Sequence, residues 1–205
     1  MSQVASPYGL RIAKYMGDTP FSAGMHSYPM TANSAAGMFF GDPVGLQNGQ
    51  PVALAASPTP TLSANSPIGV FMGCEYQDPV RGFVNSQYLP ANALNNGATK
   101  IKVKIFDNPN VVMIVQADGS VPLNKIGFNG SLNIAAGSVT TGNSIISLNS
   151  ASLTPGTAAA AVRIYDFLYT PEPSPGAGSQ PGDAFTDVLV VWCFGTHRFQ
   201  NAGGQ

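Results

Sequence analysis

From residue 99 to 106 the chain reads TKIKVKIF and changes character at every step. Lys100, Lys102 and Lys104 fall on one side, Ile101, Val103 and Ile105 on the other. A period of two is strand geometry, so this segment is predicted as a half-buried strand with a solvated face. The lysine row keeps such a face soluble or blunts an edge; an anion patch is the sharper alternative. Asp107-Asn108-Pro109-Asn110 turns the chain, and VVMIVQ at 111–116 reads as a buried strand ended by Ala117-Asp118-Gly119. Together the two predict an antiparallel hairpin with a longer loop.

The stretch from 41 to 90 organises the rest. Short apolar runs at 51–56, 68–74 and 82–84 are separated by Asn-Gly, Ser-Pro, Thr-Pro and Asp-Pro steps. Gly supplies positive φ, Pro fixes φ, and the residue before Pro is pushed to extended geometry. Such a segment predicts short strands joined by tight turns, a small sandwich or barrel. Further along, VRIYDFLYT predicts a strand at 162–169, and DVLVVWCF at 187–194 one buried on both faces. Residues 121–158 carry little signal beyond a possible short helix in LNKIGFNGSLN and a turn–strand–turn in 137–153. The Pro- and Gly-rich run 171–182 reads as an exposed loop, and the polar tail after Phe194 as frayed or docked on a neighbour. The count is eight to ten strands, at most one short helix and no internal repeat.

Residues 1–40 fit neither period. Large apolar groups stand among Pro7, Pro20, Pro29 and several glycines, too many for an ordinary disordered tail. The segment is expected to lie as an extended, irregular arm, on its own domain or on a partner.

Composition narrows the partners. Hydrophobic residues make up 44% of the 205, enough for a sizeable core, while charged residues make up only 9%, against about 25% in ordinary soluble domains. A neutral polar surface suits a protein covered by neighbours. With nine Lys and Arg and a net charge of −1, the many phosphate contacts of nucleic-acid binding are not supplied. No apolar run reaches membrane-spanning length and the N-terminus lacks a signal pattern, so synthesis in a cytoplasm without export and no membrane partner are expected. Cys74 and Cys193 both sit in apolar runs and read as small buried hydrophobes, with a disulfide as the alternative.

Chemistry is sparse. His26 lies in the arm and His197 near the C-terminus; a triad of His197 with Asp183 or Asp187 is allowed by spacing alone. Asp183 and Asp187 (GDAFTD) fit a strand-capping loop better than a calcium site. A glycosidase pair would need Glu75 or Glu172 with an Asp partner, but Glu172 stands in the loop. No phosphate-binding glycine motif is present. No enzyme, no cofactor and no metal are expected.

Four blocks carry a resemblance: ASPYGLRIAKYMGDTPFSAG (5–24), FFGDPVGL (39–46), PIGVFMGCEYQDP (67–79) and GDAFTDVLVV (182–191). In this order they resemble tailed-bacteriophage head proteins of the decoration, or cement, type. Within 41–90, the Gly41–Val44 opening and the Pro67–Val70 strand also resemble lambda-type decoration proteins. The chain is longer than those, and 100–194 has no counterpart there. The resemblance implies a mainly β, β-tulip-like core carrying the arm and additional strands, and a three-part organisation. Residues 1–40 would be a capsid-binding arm, 41–98 the decoration module, and 99–205 further strands packed on it, with 41–199 as one continuous domain the alternative. It also implies a homo-oligomer, typically a trimer, on the outer surface of the virion, stapling the major capsid protein. Tyr8, Leu10, Tyr28, Phe39 and Phe40 are then the capsid-contact candidates, and Pro67, Ile68, Val70 and Met72 the oligomer-contact candidates. Rival readings are a head-fibre base, tail or minor capsid protein, or a carbohydrate-binding sandwich that stacks sugar on Tyr76, Tyr88 or Trp192. A shell-forming capsid subunit is disfavoured, since almost no helix is predicted.

Overall fold

The computed structural model describes residues 4–17, 24–55, 67–156, 160–169 and 179–193. In chain order the strands are β1 (Arg11–Tyr15), β2 (His26–Met30), β3 (Met38–Phe39), β4 (Pro43–Gln47) and β5 (Gln50–Ala53). Then come β6 (Pro67–Asp78), β7 (Gly82–Ser86), β8 (Tyr88–Leu89), β9 (Thr99–Phe106) and β10 (Val111–Gln116). The series ends with β11 (Asn129–Gly130), β12 (Leu132–Asn133), β13 (Ser147–Leu148), β14 (Val162–Phe167) and β15 (Asp187–Trp192). Among the described residues the only helical turns are of 3-10 type, at Leu123–Lys125 and Ser150–Ser152. The first lies where a short helix was expected.

Two antiparallel sheets carry the structure. One has the order β2-β9-β6-β4-β5, with β7 added to β6; the other runs β1-β10-β15-β14-β11. The first curls: Gln50 of β5 accepts from the amides of Thr31 and Ala32, just past β2, at 2.7 and 2.6 Å. It does not close, and the architecture is a mainly β, sandwich-like one, as expected. Phe71, Cys74, Val103 and Ile105 centre one core; Leu10, Met113, Val188 and Trp192 belong to the other. β6 separates the two. Its Phe71 faces the first core while Val70 and Met72 face the second.

The periodic strands fall where the pattern placed them, and β9 shows the expected alternation, with Ile101, Val103 and Ile105 buried. Their pairing does not. β9 and β10 form no hairpin: β9 lies between β2 and β6, and β10 between β1 and β15. The connection crosses from sheet to sheet because Asp107 is locked to the first, accepting from Tyr28 Oη at 2.7 Å and contacting His26 Nδ1 at 2.7 Å. Asn108 then caps the turn by accepting from the Asn110 amide.

Residues 4–17 and 24–40 are not a detached arm. β1 pairs with β10 and β2 with β9, and Leu10 is fully buried. Sequence periodicity missed β1 because its register slips between Ile12 and Lys14. It missed β2 because that strand holds Pro29, which only an edge strand tolerates. Sheet pairing likewise crosses the boundaries expected at 40 and 98, so these do not separate independently packed units among the described residues. Most of the loop at 171–182 and the C-terminal tail, with Glu172 and His197, lie outside the described residues.

Deletion of residues 2–37 therefore removes an edge strand from each sheet and the Leu10 plug. The truncated chain should lose its cooperative urea transition, followed by circular dichroism; a folded remainder with parental stability would contradict this.

Candidate functional site

Both sets of contact candidates are turned inward. Leu10 and Phe39 are buried, and Tyr8 donates to Asp187 Oδ1 at 2.9 Å. Tyr28 is tied to Asp107, and the Phe40 ring lies 4.7 Å under the Arg11 guanidinium. Burial and the facing carboxylates raise both tyrosine pKa values, which keeps the hydroxyls protonated as donors. Ile68 and Val70 are also core residues, Pro67 is buried, and Met72 packs on the second core. The apolar surface expected at Pro67–Met72 is thus inside the molecule. It reads as surface in sequence only because flanking turns hide the sheet that covers it.

Among the exposed large apolar groups, two sit together on the same strand's hairpin. Val80, in the β6–β7 turn, is 90% exposed, and Phe83 on β7 is 69% exposed. Phe83 stands opposite Gln77, and among the described residues β7 pairs with β6 alone, leaving its outer edge open. The turn is rigid: Asp78 Oδ1 accepts from the amides of Val80 and Arg81 at 2.9 and 2.8 Å, and Oδ2 accepts from Arg81 Nη2 at 3.1 Å. The Arg81 amide, its guanidinium and the Val80 amide hold the Asp78 carboxyl down at about 2. Sequence did carry a signal, an apolar Val at a turn centre in Asp-Pro-Val-Arg-Gly, which periodicity cannot weigh.

A second feature is the junction at Gly41-Asp42. The Leu10 amide donates to the Gly41 carbonyl at 2.9 Å, the Gly41 amide to Phe71 at 2.9 Å, and the Phe71 amide back to the Asp42 carbonyl at 2.8 Å. Gly41 has φ of +95°, and a Cβ there would meet the Leu10 carbonyl at 3.0 Å. Leu10, Gly41 and Phe71 come from three of the four blocks quoted above and meet here, while the fourth is tied to the first by the Tyr8–Asp187 bond. Asp42 is 8% exposed. Its Oδ2 accepts from the Phe39 amide at 2.8 Å, while Oδ1 has no hydrogen-bond partner. Burial pushes the carboxyl up to about 6, with the Ser144 hydroxyl and the Phe39 amide only tempering the rise. Asp42 and Pro43 line a cleft of about 280 Å³ whose other walls include Phe39, Leu54, Ile134 and Ile146.

The remaining chemistry resolves into structural roles. His26, with its side chain 73% exposed, anchors Asp107. Asp183 accepts from the Gln180 amide at 2.7 Å, a loop-capping role. Glu75 lies 3.7 Å from Lys102 and 3.5 Å from Lys104 on the outer face of the sheet. Cys74 is a buried free thiol and Cys193 a half-buried one. Trp192 and Tyr76 are buried, and Tyr88 stacks on Phe39 at 5.8 Å, so none of the three offers an open platform to a sugar. No group of three or more His, Cys, Asp or Glu gathers among the described residues. Nor is any helix there long and apolar enough to cross a membrane.

Asp42 makes stability depend on pH in a stated direction. Its folded value of about 6 lies above the unfolded 3.8, so the native state holds the proton more tightly. Stability from this group is present below about pH 4 and is lost as pH rises through about 6, by roughly 3 kcal/mol in all. Asp42→Asn, which keeps an acceptor for Phe39, should match the parent near pH 4 and exceed it by up to about 3 kcal/mol near pH 7.5 in urea unfolding. A gap independent of pH would count against this account.

Comparison with known proteins finds no family model that matches the chain, no similar curated protein and no similar solved structure.

Proposed function

We propose that the chain is a virion structural protein of the head-decoration type, which binds the outside of an icosahedral shell and staples capsid subunits together. The observation that carries this reading is the ordered set of four sequence blocks resembling decoration proteins. Three of them meet at the Gly41 junction and the fourth is tied to the first by the Tyr8–Asp187 bond, as expected if the blocks encode one fold. A charged content of 9% supports it further, because such a surface suits permanent contact with neighbours.

The contacts assigned from sequence move under this proposal. With the earlier candidates buried or held in internal contacts, the gripping element becomes the β6–β7 hairpin, which presents Val80 and Phe83 to the partner and an open backbone edge on β7. An open edge can accept a strand from a neighbour, with main-chain bonds giving affinity and a side chain such as Phe83 giving register. The partners are the major capsid protein and further copies of this chain in a trimer.

Co-sedimentation with undecorated heads of the encoding virus tests the reading. Binding should saturate and change by less than about twofold between about 0.05 and 0.5 M salt, since screening acts on exposed charges. Val80→Asp combined with Phe83→Asp should weaken it at least about tenfold while leaving the urea midpoint near the parent's, because both side chains are already in solvent. Failure of the parent protein to bind heads at any salt overturns the function. Binding that the double variant retains in full moves the contact away from the hairpin.

A further inference from the structure

We propose that the Asp42–Pro43 peptide bond is a self-cleavage site, at which the Asp42 carboxyl attacks its own carbonyl carbon and Pro43 departs as the amine. The elements of an acyl transfer are in place. The nucleophile is Oδ1, nine-tenths buried with its residue and without a hydrogen-bond partner, while Oδ2 is fixed by the Phe39 amide at 2.8 Å. The electrophile is the Asp42 carbonyl, whose oxygen already accepts from the Phe71 amide at 2.8 Å. That amide is placed to stabilise the oxyanion formed on attack. The leaving group is the proline nitrogen of a tertiary amide, which has no N–H and is more basic than an ordinary leaving amine.

The step balances without a cofactor. A lone pair of Oδ1 forms a bond to the Asp42 carbonyl carbon and closes a five-membered ring. The carbon–nitrogen bond to Pro43 then breaks with its electron pair staying on nitrogen, which takes the proton the carboxyl carried. The product is a cyclic anhydride at Asp42 and a free secondary amine at Pro43. One water molecule opens the anhydride to two carboxyl groups. Asp42 and Pro43 both line the cleft of about 280 Å³, which gives that water its approach.

A second Asp-Pro bond in the same chain is the internal control. Asp78 is held at about 2 by the Arg81 amide and guanidinium and the Val80 amide, so it is ionised at mildly acidic pH. Both of its carboxylate oxygens are engaged. Asp42, raised to about 6 by burial, carries the proton required by the leaving amine in mild acid. From the elements packed on it Asp42 meets the Phe39 amide and the Ser144 hydroxyl, and no charged group contributes to its shift. Arg11, on the neighbouring strand, is committed to Asn143 at 3.0 Å and to the Phe40 ring. Scission would leave the two pieces together, since β1, β2 and β3 pair with β10, β9 and β8.

The test follows the folded full-length chain by intact mass and denaturing gel after transfer from about pH 8 to about pH 5 at about 37 °C, with a parallel sample unfolded in urea. In the folded sample, residues 1–42 and 43–205 should appear, about 10²-fold faster than any cut at Asp78–Pro79. In urea the two bonds should be cut at similar slow rates. Pro43→Ala keeps the carboxyl but supplies a poorer leaving group, and should bring the cut down to the Asp78–Pro79 background. Asp42→Glu, which needs a six-membered ring, should slow it if the proline variant misfolds. A folded chain that stays intact while the unfolded one is cut overturns the proposal. So do equal rates at the two Asp-Pro bonds in the folded chain, or an undiminished cut in the variants.

Discussion

The amide of Gly41 donates to Phe71 while its carbonyl accepts from Leu10, and through this one residue the segment entering β1 is tied to the separating strand β6. Everything else in the two-core arrangement depends on how closely these backbones approach. A side chain at 41 would press on the Leu10 carbonyl at a positive φ. At Gly69, two residues before Phe71, a Cβ would run into the Phe106 carbonyl. These glycines let β6, β9 and the first segment lie near enough for Leu10, Val70 and Phe106 to share one core. A sandwich whose sheets were held by side chains alone would tolerate more spacing. Here main-chain bonds set the distance and side chains fill what remains.

That closeness has an electrostatic consequence. The chain turns through Asp42 because an aspartate can accept from the amide three residues back, as its Oδ2 does from Phe39. The same packing removes water from its other oxygen. A carboxylate so placed gains one hydrogen bond and loses most of its hydration, and the rise in its pKa is the balance between them. Asp78 occupies an equivalent step before proline, yet keeps water and three donors, and its pKa moves the other way. Identical dipeptides thus differ because one lies under two cores and the other at a hairpin tip.

Sequence disclosed what is local. Alternation at 99–106 gave β9, and apolar runs gave β6, β10, β14 and β15, because a period or a run is written within a few residues. It did not disclose partners. β9 and β10 are adjacent, strongly patterned and joined by a turn, but the turn's Asp107 is claimed by Tyr28 and His26 from residues far earlier in the chain. Strands of two residues such as β3, β8 and β11 are too short to carry any period. For the same reason Leu10 and Phe39 read as spare apolar groups in a broken segment, when they are core. The Gly-Asp-Pro step at 41–43 was visible as a word. Its burial was not, since that depends on Ser144 and Ile146, about a hundred residues away.

The placement of the exposed hairpin also has a mechanical logic. Val80 and Phe83 stand just beyond one end of β6, and the Gly41–Phe71 bond lies in its first half. Between them β6 is paired with β9 and β7. A force applied at the tip along the strand loads these ladders in shear, so many hydrogen bonds must yield together rather than one after another. A tip joined by a flexible loop would instead transmit the force to a single residue. The carboxylate of Asp78 and its donors stiffen the last link. Under the decoration role proposed above, a contact at this tip would carry load from a capsid subunit straight to the junction of both cores.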